Sequence, residues 1–188
     1  VEQQIPELAD SNIVLEAAPR DSTVAIGLAA AILLRRDPDV IICSFAADHV
    51  IGDEVAFRAA VEQAVVAADA GFITTIGIQP TEPAIGFGYI ECADAASIEG
   101  APDALLVASF VEKPDAETAT RYLSDGRHLW NAGMFIARAD LLLEQIGAFD
   151  AELLAQLQTL AAAWDDPSTR GPAVDRLWPG LRRIAIDY

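Results

Sequence analysis

Basic residues other than arginine are nearly missing from this sequence: it holds one lysine, Lys113, and two histidines, His49 and His128, against 29 acidic side chains. The formal charge of -17 excludes a general nucleic-acid surface, which needs a basic stripe to meet the phosphate backbone. Cysteine is as scarce. Cys43 and Cys92 share no metal-ligand spacing, and two histidines are too few for a zinc cluster, so both thiols are expected to be buried small hydrophobes. Long apolar runs are missing too. The longest, Val24 to Leu34, contains Gly27 and suits a buried helix rather than a membrane span. No basic start followed by an apolar stretch opens the sequence, which leads to the expectation of a reducing, cytoplasmic setting.

What is present is enough apolar material, 53% of 188 residues, for one substantial core and therefore a single domain. Ser22 to Arg36 reads as a largely buried helix stopped by Asp37-Pro38. Val40 to Ala46 and Phe72 to Ile78 read as buried strands. Between them lies a helix capped by Asp53, with Val55, Phe57, Ala60, Val61, Ala64, Val65 and Ala68 as its inner stripe and Gly71 as its stop. Strand, helix, strand order predicts an α/β fold with a mostly parallel sheet and helices on both faces. Further on, Gly86 to Ile90 reads as a strand start, Leu105 to Val111 as a strand, Ala116 to Leu123 as a helix and Met134 to Ala137 as a strand. Helices are expected at Ala139 to Ile146 and Ala151 to Ala163. The stretch Asp165 to Pro179, rich in Pro, Asp and Arg, reads as loop.

Chemistry is expected at the strand ends. An acidic protein that handles an anionic substrate needs a few placed cations or a divalent metal. In a sequence that uses arginine for its other basic side chains, the compact ammonium of Lys113 marks either a phosphate contact or a chance occurrence. Asp48 follows the first strand and serves either as a hard-cation ligand or as a turn cap. Asp187 stands likewise after the apolar run Ile184 to Ile186, which reads as strand-like, and the two carboxylates are candidates to share one metal. Gly86 and Gly88 mark either the approach of a ligand to the backbone or a bulge. Glu112 and Lys113, as strand neighbours, should point to opposite faces; Pro114 ends regular pairing and lets both reach one ligand, with a solvated ion pair as the alternative. Asn131, within Trp130-Asn131-Ala132-Gly133, suits a sugar diol because it donates and accepts, or else forms an Asx turn.

The segments Phe45-Ala46-Ala47-Asp48-His49, Gly86-Phe87-Gly88-Tyr89-Ile90, Phe110-Val111-Glu112-Lys113-Pro114, Trp130-Asn131-Ala132-Gly133-Met134-Phe135 and Ile186-Asp187-Tyr188 occur together and in order. In this the chain resembles the bacterial mannose-1-phosphate guanylyltransferases of the sugar nucleotidyltransferase superfamily, from Pro19 to Tyr188. The resemblance implies a Rossmann-like nucleotidyltransferase sheet, GTP and mannose 1-phosphate as substrates, and Mg2+ held by Asp48 and Asp187. It makes Lys113 the ligand of the sugar phosphate, Glu112 and Asn131 sugar contacts, and Gly86 a neighbour of the mannosyl ring. Arg20, Asp21 and Ser22 resemble a nucleotide-side segment, although Thr23-Val24 replaces the family's usual alanine-proline pair. The family's glycine-rich triphosphate loop and its lysine are not found in this sequence. Residues 1–188 are accordingly expected to be a partial domain, truncated at both ends and without its N-terminal unit. The alternatives are a non-catalytic sugar-phosphate-binding fragment, or a nucleotidyltransferase for another hexose 1-phosphate. A homo-oligomer is compatible with the resemblance; nucleic-acid and membrane partners are not expected.

Overall fold

Four aspartates set where helices begin. In the computed structural model, which describes residue 5 and residues 7–186, the side chains of Asp53, Asp115, Asp150 and Asp166 accept hydrogen bonds from the backbone N–H of Ala56, Thr118, Leu153 and Ser168. Each satisfies a donor that the first helical turn leaves without an internal partner. The bonds from Thr118 hold the Asp115 carboxyl below the usual carboxylate range, and those from Ser168 do the same for Asp166.

In chain order the elements are α1 (Asp21–Arg36), β1 (Ile41–Ser44), α2 (Glu54–Asp69), β2 (Thr74–Ile78), β3 (Gly88–Ala95), β4 (Leu105–Glu112), α3 (Ala116–Asp125), β5 (His128–Arg138), α4 (Ala139–Phe149), α5 (Ala151–Ala163) and α6 (Pro167–Leu177). They fall into two compact units, one helical and one built on the sheet. The helical unit joins the described residues up to Val40 with Ala139–Ile186. In it α1 packs on α4 and α5, and α5 on α6. Its core includes Val24, Leu28, Leu157 and Leu160, all without exposed surface. Arg36 ties α1 to the α5–α6 connection through a 2.6 Å ion pair with Asp165. This guanidinium hydrogen bond, foremost, holds the Asp165 carboxyl low.

The second unit, Ile41–Arg138, is a five-stranded sheet carrying α2 and α3. Every strand pairing described is antiparallel: β1, β2 and β3 each pair with β5, and β4 pairs with β3. The expected mostly parallel sheet is therefore wrong, and the reason is topological. β1 and β2 do run in one direction, as a strand, helix, strand unit predicts, but β5 lies between them and runs the other way. Ala64 and Ala68 of α2 are buried against Ile136 of β5, with Ile41 and Ile76 packed beside them.

Other expectations also change. Cys43 is exposed and Cys92 half-buried, so neither is a fully buried hydrophobe; partial burial still pushes both thiol pKa values up. The second strand is not buried, because Phe72, Ile73 and Ile78 each keep at least 40% of their surface. Asp165 to Pro179 is not loop, since α6 occupies most of it. Pro167 takes the first turn, where its missing N–H costs nothing, and Ala173 is buried. Ile184 and Ile186 are not in a strand; Ile184 accepts a hydrogen bond from Thr23 N–H, and Ile186 N–H donates to Ser22 Oγ.

Candidate active site

The sheet opens along β5. Phe135 and Ile136 have partners on both sides, in β1 and β2, and Trp130 has partners in β3 and β2. β1 and β3 therefore share one edge of β5, and among the described residues positions 131–134 have no ladder partner on that edge. β1 ends at one margin of this gap and β3 begins at the other. The segment after β1, with Asp48, and the segment before β3, with Gly86, thus both start from it.

The gap coincides with a bulge. Between the pairs Thr75–Phe135 and Gly77–Asn131, the one β2 residue Ile76 stands opposite three of β5, Ala132, Gly133 and Met134. Gly133 has φ +66°, a conformation that glycine adopts at little cost. Asn131 Oδ1 accepts from Gly133 N–H at 3.1 Å, which is the Asx-turn contact. It accepts from Thr75 Oγ1 as well, at 2.8 Å.

Glu112 and Lys113 close the neighbouring corner. Gly88 pairs with Glu112 across β3 and β4, and Lys113 N–H donates to Phe87 O at 3.2 Å. Lys113 itself has φ +47°, so the strand ends through a left-handed lysine. That turn brings Nζ to 2.7 Å from Glu112 Oε1, and adjacent side chains that a strand would separate form an ion pair. The ammonium side of the pair is 60% exposed and the carboxylate side 25%. Phe87 meets Trp130 edge to face, with ring centroids 5.0 Å apart. Trp130 Nε1 is buried without a hydrogen-bond partner. Glu112 thus connects with Gly88 and Lys113, and Phe87 connects this corner with Trp130 of β5.

Gly88 is where a side chain would intrude. A Cβ there would stand 2.7 Å from both Glu112 Oε2 and the Phe110 ring. Gly88→Ala is expected to destabilise by about 1–3 kcal/mol through overpacking, read as a lower urea midpoint at unchanged m value. Around Gly86 the space is open.

The remaining candidates divide. Asp48 lies exposed in a turn beyond β1. As a carboxylate oxygen donor it has the chemistry of a hard-cation ligand, although among the described residues no group of three or more metal-ligating side chains exists. Asp187 lies outside the described residues. Arg20, Asp21 and Ser22 belong to the helical unit, where each has a local task. Arg20 donates to Pro179 O at 3.1 Å, Asp21 with φ +63° lies 3.6 Å from Arg183, and Ser22 accepts from Ile186. A separate cleft of about 510 Å³ in that unit, between α1 and the segment from Ser11 to Glu16, contains none of the residues singled out from the sequence. There the Glu16 carboxyl pKa is pushed up, by burial first and by Asp21 second. Thr75, Phe87 and Trp130 went unnoticed as site residues. The aromatic pair flanking the glycine and asparagine motifs was the available signal, and Thr75 left none.

A carboxylate and an ammonium where β4 ends, and an amide beside the bulge of β5, are groups with which a protein can orient a phosphorylated small molecule. The chain belongs to the nucleotidyl transferase family, whose pattern matches residues 1–166. It is 42% identical over 165 residues to a mannose-1-phosphate guanylyltransferase of Escherichia coli K12, covering 87% of this chain and 34% of that protein. It is 45% identical over 157 residues to mannose-1-phosphate guanylyltransferase ManC of Salmonella typhimurium, covering 81% of this chain and 32% of the relative. Among solved structures, a Thermus thermophilus protein described as a mannose-1-phosphate geranyltransferase superposes with TM-score 0.74 at 26% identity, over 93% of this chain and 48% of its own. The chain thus spans about a third of the length of the curated relatives it matches. No helix among the described residues is long and apolar enough to cross a membrane.

Proposed function

We propose that the protein containing this chain transfers a guanylyl group from GTP to mannose 1-phosphate, giving GDP-mannose and pyrophosphate. What supports this reading is the similarity of the chain to mannose-1-phosphate guanylyltransferases, together with the Glu112–Lys113 ion pair where β4 ends and Asn131 in the stretch of β5 that faces the gap. A phosphate oxygen of mannose 1-phosphate attacks the α-phosphorus of GTP; the bond from that phosphorus to the bridging oxygen breaks, and pyrophosphate leaves with the electron pair. Lys113 offsets the charge of the sugar phosphate, while Glu112 accepts hydrogen bonds from sugar hydroxyls. Asn131 donates to a sugar oxygen, and Gly86 leaves room for the ring. Arg20, Asp21 and Ser22 are assigned to the nucleotide side. Asp48 and Asp187 are the carboxylates for Mg2+, which when bound offsets the charge of the reacting phosphates. No covalent intermediate is needed, because orientation and charge supply the rate.

Incubation of the whole protein with GTP, mannose 1-phosphate and Mg2+ is expected to release pyrophosphate and form GDP-mannose, and chelation of the metal is expected to stop it. Asp48→Asn is expected to raise the Mg2+ concentration for half-maximal rate about tenfold or more. A panel of four nucleoside triphosphates and several hexose 1-phosphates tests the identity of both substrates. Turnover with every pair except GTP and mannose 1-phosphate would sink the assignment.

A further inference from the structure

We propose that Thr75 is a positioning residue that holds the Asn131 amide in one orientation, so that Asn131 meets its ligand as a hydrogen-bond donor. Two protein donors converge on Asn131 Oδ1: Gly133 N–H at 3.1 Å and the Thr75 hydroxyl at 2.8 Å. Gly133 N–H has no acceptor character, so the oxygen end of the amide must face it, and a flipped amide would set N–H against N–H. Thr75 adds the second anchor from the opposite strand, which fixes the torsions of the side chain as well as its flip. The Nδ2 end is turned away from both anchors. A donor held in this way suits a hydroxyl or ring oxygen of a sugar.

This arrangement depends on the bulge. Thr75 pairs with Phe135, so in an unbroken antiparallel ladder Asn131 would lie opposite a β2 residue four positions later. Because the three β5 residues Ala132 to Met134 stand opposite the single Ile76, an excess of two, that offset shortens to two, placing Asn131 opposite Gly77, on the same face as Thr75 and within its reach. The neighbouring Thr74 has a different task, since its hydroxyl donates to the Ile136 backbone carbonyl at 2.9 Å and supports the sheet.

The test uses the 188-residue chain with Thr75→Val, which keeps shape and removes the hydroxyl, and Thr75→Ser, which restores it. Side-chain amide resonances of Asn131 in 15N–1H spectra are expected to be single and sharp in the parent, shifted or broadened in Thr75→Val, and restored in Thr75→Ser. A folding defect alone would not show that restoration together with unchanged backbone spectra. Asn131 signals indifferent to Thr75→Val would overturn the proposal. The donor role rests on the function proposed above and has its own arm, a titration with mannose 1-phosphate. There Thr75→Val is expected to weaken binding about threefold to tenfold, whereas Asn131→Asp, which keeps both accepted bonds but lacks the donor, should abolish it. If the parent's Asn131 signals respond to Thr75 but not to mannose 1-phosphate, the ligand role of Asn131 fails while its anchoring by Thr75 stands. Undiminished binding in Asn131→Asp would overturn the donor role alone.

Discussion

Lys113→Ala is expected to lower kcat/KM for mannose 1-phosphate about 100-fold in the whole protein, the scale of losing one preorganised charge aimed at a phosphate. Stability should hardly change. The ammonium is 60% exposed and its pairing with Glu112 is a surface contact, worth at most about 1 kcal/mol. Lys113→Gly separates the two effects further. Glycine accepts φ +47° without the strain that a side chain brings there, so this variant is expected to melt no lower than the parent, and higher if the strain exceeds the added unfolded-state entropy. A position that loses activity and keeps or gains stability on replacement holds its residue for chemistry. Lys113→Arg is expected to recover only part of the rate, because a planar fork replaces a point charge on a flexible stem. Unchanged kinetics in both Ala and Gly variants would remove Lys113 from the site, whatever became of the rest of the reading.

Much of this corner was legible in the sequence because its signals are local. Glu112 beside Lys113 on a strand poses a geometric conflict that requires the strand to end, and it does end there. The means differs from the expectation: the left-handed lysine turns the chain, and Pro114 follows it buried. Helix positions were legible for the same reason, since Asp53 announces α2 and an apolar pattern without breakers runs through α5. Strand direction was not, because β5 reaches its place between β1 and β2 from sixty residues further along the chain. No local pattern encodes that insertion. α6 was hidden by composition: Pro167 and Pro172 suggest a loop, yet Asp166-Pro167 is also a cap followed by a first-turn proline. Thr75 was out of reach for a stricter reason. Its meeting with Asn131 follows from cross-strand register corrected by a bulge, and neither is written in the residues around Thr75.

Leu157→Ala is expected to be the most destabilising single change considered, at about 3–5 kcal/mol. Its side chain has no exposed surface and lies where α5 meets α1, and its Cδ1 would be 2.9 Å from a Cβ built on Gly27. For a chain of this length the loss corresponds to a fall of roughly 6–20 °C in Tm. Gly27 gives the prediction a sharper form. In the parent, Gly27→Ala would press a methyl group against Leu157 Cδ1 and, at 3.0 Å, against Ile146 Cδ1. That overpacking, of about 1–3 kcal/mol, outweighs or cancels the gain of about 1 kcal/mol from replacing a helical glycine by alanine. Once Leu157 is shortened, the nearer of the two obstructing methyl groups is gone, Ile146 can shift into the space, and the same alanine partly fills the cavity. Gly27→Ala should then turn from neutral or destabilising in the parent to stabilising in the Leu157→Ala background. Urea unfolding of the four combinations measures this as a coupling of about 1–2 kcal/mol. Strict additivity would mean that α1 and α5 do not meet at these two residues, and the close approach assigned to Gly27 would be wrong.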